Sequence, residues 1–428
     1  MHIATKQPEF SPGLTCSERC EIPDLEFGPV CAMHVNKQTG ETGLRIVVMG
    51  SSPGVENAYR LDGKTLNGLL GGNTGNLAFV YAIASHLGGA AADGKPEPVR
   101  VVPWHVPAAD LRGTADLIVL ACANQLGPHA DLGTHAANLE AIGLPVVALG
   151  LGAQAASRDE EAVIPDGTKK WLDVIGRLAP GKAPNIGVRG EYTLRQLERL
   201  GCGDRGIVMG CPSNFINPTD IAALVSARRE VPVGRVAAAV GQPYWRELAE
   251  IERAVLDLVD ESDGSCIVQH GQIMVDLGQG ELATMSEKDV ELLRSYFRPR
   301  LSTDEFALWC RRNMLGFGTV PGWMNWLKRH DFVVGPRFHG IMLAIQAGVP
   351  GGCITHDSRT AELCDTMGIP ARAASEMPKV LTRKMLPELF PFDAEGYRKK
   401  RKELGVAYAS ILRGANINLN LSTASIIN

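Results

Sequence analysis

The chain has no run of about 18 apolar residues, so nothing in it predicts a helix that spans a membrane. Its first twenty residues lack the apolar core of an export signal, and the expectation is a protein of the cytoplasm. Basic charge is not in excess. Lys and Arg total 43 against 47 Asp and Glu, a net charge of −4, which excludes the electrostatic footprint of a nucleic-acid binder. There is no internal repeat, no low-complexity run, and neither a Walker loop nor a dinucleotide fingerprint. The ten cysteines are scattered, and Cys122, Cys266 and Cys353 lie inside apolar runs, the pattern of reduced, buried thiols. Cys16, Cys20, Cys31 and His34 come nearest to a zinc knuckle. Their spacing is irregular, and no metal is expected.

What is present is a repeated alternation. A length of 428 residues suits two α/β domains with tails rather than one core. Glycine is abundant, 47 residues, and many follow apolar runs where a strand turns into a helix. Residues 1–43 show little periodicity and read as an N-terminal extension. Buried parallel strands are then predicted at 44–50, 99–104, 115–123, 144–152, 185–190 and 206–213, with helices between them. A polar break, 216–234, separates this half from a second one. That half has strands at 235–241, 265–270, 330–336 and 351–356. The predicted limits are 44–220 and 230–390 for two α/β domains, and 391–428 for a C-terminal helix and tail. Strand alternating with helix argues for parallel sheets covered on both faces, whose ligands bind outside the strands' carboxyl ends.

Four motifs stand at such ends. In GPRFHG, Arg337 follows a strand and His339 opens a helix, so free backbone N–H groups and the helix dipole favour an anion there. The arginine adds a planar fork that matches carboxylate or phosphate, and the histidine a proton donor that a nearby anion would keep charged. Arg189, ending IGVRG, holds the equivalent place in the first half. Two such arginines can clamp one small dianion; the structural alternative is a salt bridge to Glu191 or Asp204. In THDSRTAEL, His356 and Asp357 follow a strand, Ser358 reads as an N-cap, and Arg359 sits in the first helical turn, where the dipole disfavours a cation. The fourth is the turn GGNTGN, with Asn73 and Gly75, ahead of a long helix. GLGAQ (150–154) and GCPSN (210–214), which contains Ser213, are further polar turns.

Taken together, these residues resemble the polysaccharide pyruvyltransferases. The N-x-G turn at Asn73–Gly75, GLGAQ, VRGEYTLRQLERLG, GCPS, and VVGPRFHGIMLAIQAGVP followed by THDSRTAEL carry the resemblance in order, over residues 44 to 375 or so. It implies two Rossmann-like domains facing a cleft, similar to GT-B glycosyltransferases. It also implies phosphoenolpyruvate as donor substrate with no separate cofactor, a sugar or lipid-linked oligosaccharide as acceptor, and a pyruvate ketal as product. Arg189, Arg337 and His339 match the positions that hold and activate the donor. Asn73, Gly75, Ser213, His356 and Arg359 are the further expected substrate contacts. Asp357 or His356 is expected to serve the acceptor hydroxyl. The family pattern often has Asp after the N-x-G turn, where this chain has Asn76. A nucleotide-sugar glycosyltransferase of similar shape, and a family member that kept the fold without the chemistry, are the alternatives. The basic run Arg398–Glu403 reads as a solvated helix face, or as a peripheral contact with the inner membrane surface if the acceptor is lipid-linked. No pattern fixes the oligomeric state.

Overall fold

Short apolar runs, each stopped by glycine or a polar turn, become the strands of two parallel six-stranded sheets. The computed structural model describes residues 44–90, 96–97 and 99–419. The 1–43 extension, with Cys16, Cys20, Cys31 and His34, lies outside them.

In the first sheet the strands are β1 (Ile46–Met49), β2 (Arg100–Val102), β3 (Leu117–Ala121), β4 (Val146–Leu151), β5 (Ile186–Val188) and β6 (Gly206–Val208), in spatial order β2-β1-β3-β4-β5-β6. The second holds β7 (Val236–Ala239), β8 (Ser265–Ile267), β9 (Met314–Leu315), β10 (Phe332–Gly335), β11 (Gly351–Thr355) and β12 (Ala371–Ala373), in order β9-β8-β7-β10-β11-β12. This is the order of the doubly wound dinucleotide-binding sheet, with its switch point between β7 and β10. Gly335 ends β10 at that point with φ 152°, and a side-chain carbon there would lie 2.2 Å from the Ala239 carbonyl oxygen. Only glycine lets the two strand ends come that close. The expected α/β class, with two Rossmann-like sheets, is what the chain adopts.

Alternating side chains sort into three apolar layers. Val48, Val119, Ala237 and Val333 point to one shared inner core. Val47, Ile118 and Ile186 face an outer core on the first sheet, and Val236, Phe332 and Val334 one on the second. Helices α1 (Asn76–Leu87), α2 (Glu191–Arg199), α3 (Ile221–Arg229), α4 (Ala249–Glu261), α5 (Phe338–Gln346), α6 (Ser358–Met367) and α7 (Ala394–Gly414) cover the faces. Residues of α1, α5 and α7 fill the inner core, so the two sheets share apolar contact rather than a linker alone. Among the described residues no helix is long and apolar enough to cross a membrane.

Several expectations need correction. The polar break contains α3, because Asp220 caps the Ala223 N–H and Ile221 and Val225, one turn apart, are buried. The stretch 206–213 is strand only to Val208, and Pro212 starts a 3₁₀ turn, Pro212–Phe215. Asp357, not Ser358, caps α6: its backbone is extended and its carboxylate accepts the Thr360 N–H at 2.8 Å. In the basic run of α7, Arg398, Lys399, Lys400, Lys402 and Glu403 are exposed, as expected of a solvated face, and Arg401 is the exception. Arg401 is buried and donates to the carbonyls of Asn214, Asn217 and Thr219, while Arg398 pairs with Asp220. β9 and β12, two and three residues long, carry no period a sequence could show.

Candidate active site

The carboxyl ends of the two sheets meet. The Thr74 N–H donates to the Gln269 carbonyl, and Asn73 pairs as an isolated antiparallel bridge with His270. Farther along the seam, Glu362 accepts from the Thr193 N–H and hydroxyl, and Ser358 bonds both ways with the Ala155 backbone. These bonds bring the tips of β5, β8, β10 and β11 together with the turn before α1.

Arginine dominates the space they enclose. Arg189, one residue past β5, is 2% exposed. Its Nε donates to the Gly150 carbonyl at 2.8 Å, and Nη2 has no partner. The expected structural alternative, an ion pair to Glu191 or Asp204, is not formed. Arg337 is 6% exposed and is the N-cap residue of α5; its Nε and Nη2 are both unbonded. It sits over Trp245, with Cζ 4.2 Å from the ring centroid. Arg359 pairs through Nη2 with Asp357 Oδ2 at 3.2 Å and leaves Nε unbonded. A buried donor without a partner costs about 1–3 kcal/mol, and more when charged. Four guanidinium nitrogens are left so on Arg189 and Arg337, each within electrostatic reach of Arg359, and on Arg359 itself.

The ionisable groups respond to each other. Burial, then Arg359, pushes Arg337 down to about 9, with Glu252 and Asp357 opposing; it stays charged at neutral pH. Burial also lowers Arg189, against Cys211 and with Arg359. His339 is half-buried. Burial first, then the charges of Arg189 and Arg359, hold it well below its usual range, so its present neighbours keep it neutral. The expected imidazolium therefore needs an anion to arrive first. Burial, Arg337 and Arg359 take His270 down to about 4. Burial, aided by Arg359 and Arg337 and opposed by Asp357, lowers His356, and neither of its nitrogens makes a hydrogen bond. Burial would raise Asp357, but Arg359, His356 and Thr360 outweigh it and keep the carboxylate ionised. Arg359 thus acts on Arg189, Arg337, His339, His270 and His356 alike.

Of the sequence-derived residues, Arg189, Arg337, His339, His356, Asp357 and Arg359 gather here. Gly75 belongs with them: a side-chain carbon on it would sit 3.3 Å from His339 Nδ1. The Asn73 side chain accepts the Gly75 N–H at 2.8 Å and shapes that turn. Asn76 also works within the turn, donating to the Leu70 and Gly71 carbonyls. Ser213 is fully buried, and its hydroxyl donates to Cys211 Sγ at 3.0 Å, behind the site rather than in it.

Four residues escaped the sequence reading. Cys211 Sγ lies 3.6 Å from His339 Nε2. Trp245 carries Arg337 and stands 4.3 Å, centroid to centroid, from His356. His270 Nδ1 meets Gln242 Oε1 at 3.2 Å. Glu252 accepts from the Gly241 N–H and the Tyr296 hydroxyl, and burial raises it to about 7 against those bonds and Arg337. His270, ending a strand, carried a signal of the same kind as Arg337; Glu252, inside an amphipathic helix, carried none.

A family model for polysaccharide pyruvyl transferases matches residues 73–358. No curated protein sequence matches the chain. Among solved structures, a UDP-GlcNAc 2-epimerase from Methanocaldococcus jannaschii is similar at 9% identity and a TM-score of 0.39, over 80% of this chain and 90% of that one. Anabaena HepE in complex with UDP is similar at 13% identity and a TM-score of 0.38, over 90% and 97%. A trehalose-6-phosphate synthase is similar at 12% and 0.42, over 90% and 98%. Similarity at this level says nothing about chemistry.

Proposed function

Because the chain belongs to the polysaccharide pyruvyl transferase family, we propose that it moves the pyruvyl group of phosphoenolpyruvate onto a hydroxyl pair of a sugar in a polysaccharide or glycolipid precursor, forming a cyclic ketal. The observation that carries this reading is the cluster of four unbonded guanidinium nitrogens on Arg189, Arg337 and Arg359, beside His339. Phosphoenolpyruvate carries a carboxylate and a phosphate, three negative charges when fully ionised. Three guanidinium groups, one of them already paired with Asp357, face these charges, and planar forks suit both groups.

The chemistry follows from that match. The enol carbon C2 becomes electrophilic only when C3 is protonated. The arriving anion offsets Arg189 and Arg359 and lets His339 take a proton, which it then delivers to C3. One sugar hydroxyl adds to the C2 cation and releases its proton to the His356–Asp357 pair, whose Nε2 and Oδ2 lie 3.9 Å apart. A second hydroxyl displaces phosphate and gives its proton to His339, neutral since it protonated C3, and the phosphate leaves held by the arginines. Preorganised charge of this kind supplies a large part of catalysis in water-poor sites.

The test is a donor screen. Phosphate release is followed from phosphoenolpyruvate with candidate sugar acceptors, beside incubations with nucleotide sugars. Release from phosphoenolpyruvate that depends on an acceptor supports the reading. Nucleoside diphosphate release instead assigns the protein to glycosyl transfer. Neither product, with no rise in melting point on adding phosphoenolpyruvate, leaves a fold without the chemistry.

A further inference from the structure

His339 has two ring nitrogens in different surroundings. Nε2 faces Cys211 Sγ at 3.6 Å. Nδ1 faces the turn at Gly75; it has no hydrogen-bond partner among the described residues and, unlike both nitrogens of His356, is not sealed from solvent. Cys211 is itself fully buried, with its sulfur accepting the Ser213 hydroxyl at 3.0 Å and its N–H directed at Met367 Sδ. Ser213, Cys211 and His339 therefore form a chain that runs from the interior to the site.

We propose that Cys211 is the positioning residue for His339, holding Nε2 from behind so that Nδ1 is the nitrogen that delivers the proton to the donor. The inference rests on the pyruvyl-transfer reading for the identity of that donor. A thiol suits the place because it can serve the ring in each protonation state. When the imidazole is neutral before the donor arrives, the S–H donates to Nε2 and the ring proton sits on Nδ1. When the donor arrives and Nε2 takes a proton from water, the charged ring's Nε2–H donates to the sulfur. After Nδ1 gives its proton to C3, the proton left on Nε2 still has the sulfur to point at. A carbonyl or carboxylate in the same position would accept only, and would fix the proton on Nε2 from the start. The Ser213 hydroxyl orients the thiol by occupying a lone pair of the sulfur, which leaves S–H free for Nε2.

The test compares wild type, Cys211→Ala, Cys211→Ser and Ser213→Ala in the full chain. Two readouts are used: steady-state kinetics across pH with phosphoenolpyruvate, and ¹⁵N NMR of the His339 ring. Truncation to Ala is expected to lower kcat by about 10-fold or more through loss of orientation, with KM for the donor within about twofold. Ser keeps a group that both donates and accepts, so it is expected to restore most of the lost kcat and the wild-type pH profile. Ser213→Ala is expected to fall between wild type and Cys211→Ala. In the NMR spectrum the wild-type free protein should show its ring proton on Nδ1, and Cys211→Ala a mixture of tautomers. A wild-type proton on Nε2, or a Cys211→Ala protein with unchanged kcat, pH profile and ring signals, would overturn the proposal. The ring signals do not depend on catalysis. A protein that shows the predicted tautomers but never turns over phosphoenolpyruvate refutes the assigned reaction and not the Cys211–His339 pairing.

Discussion

The Arg337 guanidinium rests on the Trp245 indole at 4.2 Å, with two of its nitrogens free of any bond. The ring holds the charge by its face without consuming a donor. Glu252 offsets part of that charge from behind, since it is among the groups that raise Arg337. A buried cation held on a ring face with free donors has the chemistry to receive an anion.

Replacing Arg337 with Lys should therefore cost donor binding more than turnover. The ammonium keeps the charge but does not offer the fork. Loss of one charge-assisted contact predicts a KM for phosphoenolpyruvate raised about 10-fold or more, read by steady-state kinetics.

His339→Ala should do the reverse. Turnover is expected to fall by about 10²-fold or more, while phosphoenolpyruvate still binds, because the arginines remain. In wild type the His339 pKa, held low by burial and by Arg189 and Arg359, should rise when an anionic donor is added, as NMR titration can measure. A variant with normal turnover, or a pKa that stays put, removes this residue from the proposed chemistry.

Much of this arrangement was legible in the sequence, and the reasons are local. Arg189 and Arg337 stand directly after apolar strands, and glycine marks each turn, so their place at a carboxyl end follows from chain order alone. The 3.6 Å contact of Cys211 with His339 spans 128 residues, and no local pattern encodes it. Trp245 lies in the turn before α4, where it reaches Arg337, and nothing in chain order marks that contact. The helix at Ile221–Arg229 was hidden by its many polar residues, since two buried side chains one turn apart make a weak period. The cap of α6 was misplaced by one residue because Asp357 and Ser358 are both good caps, and only backbone geometry separates them.

Asn76→Asp tests whether this position serves the turn or the acceptor. The Asn76 amide donates to the carbonyls of Leu70 and Gly71, and a carboxylate would face them with no proton. The substitution should destabilise the protein by about 1 kcal/mol, seen as a lower denaturation midpoint. Unchanged stability with a changed acceptor preference would place Asn76 in the acceptor site instead.

Acid should unfold this protein early. His86 is buried between the Phe215 carbonyl, 3.1 Å away, and the Tyr408 hydroxyl, 3.2 Å away. Burial first, with Arg401 adding to it and Phe215 opposing, takes it down to about 4. The folded form thus binds fewer protons than an unfolded histidine at about 6.5. Its contribution is intact above about pH 6.5 and is lost as the pH falls toward 4, up to about 3 kcal/mol by linkage. His86→Gln should flatten that part of the pH–stability curve measured by denaturant titration; an equally steep curve would assign acid lability to other groups.

The most direct measurement is calorimetric titration of phosphoenolpyruvate into wild type and into Arg189→Ala, Arg337→Ala and Arg359→Ala. Saturable one-to-one binding to wild type, weakened by about 10-fold or more in each variant, is the predicted result. No binding to wild type, or an affinity that none of the three substitutions changes, would contradict it.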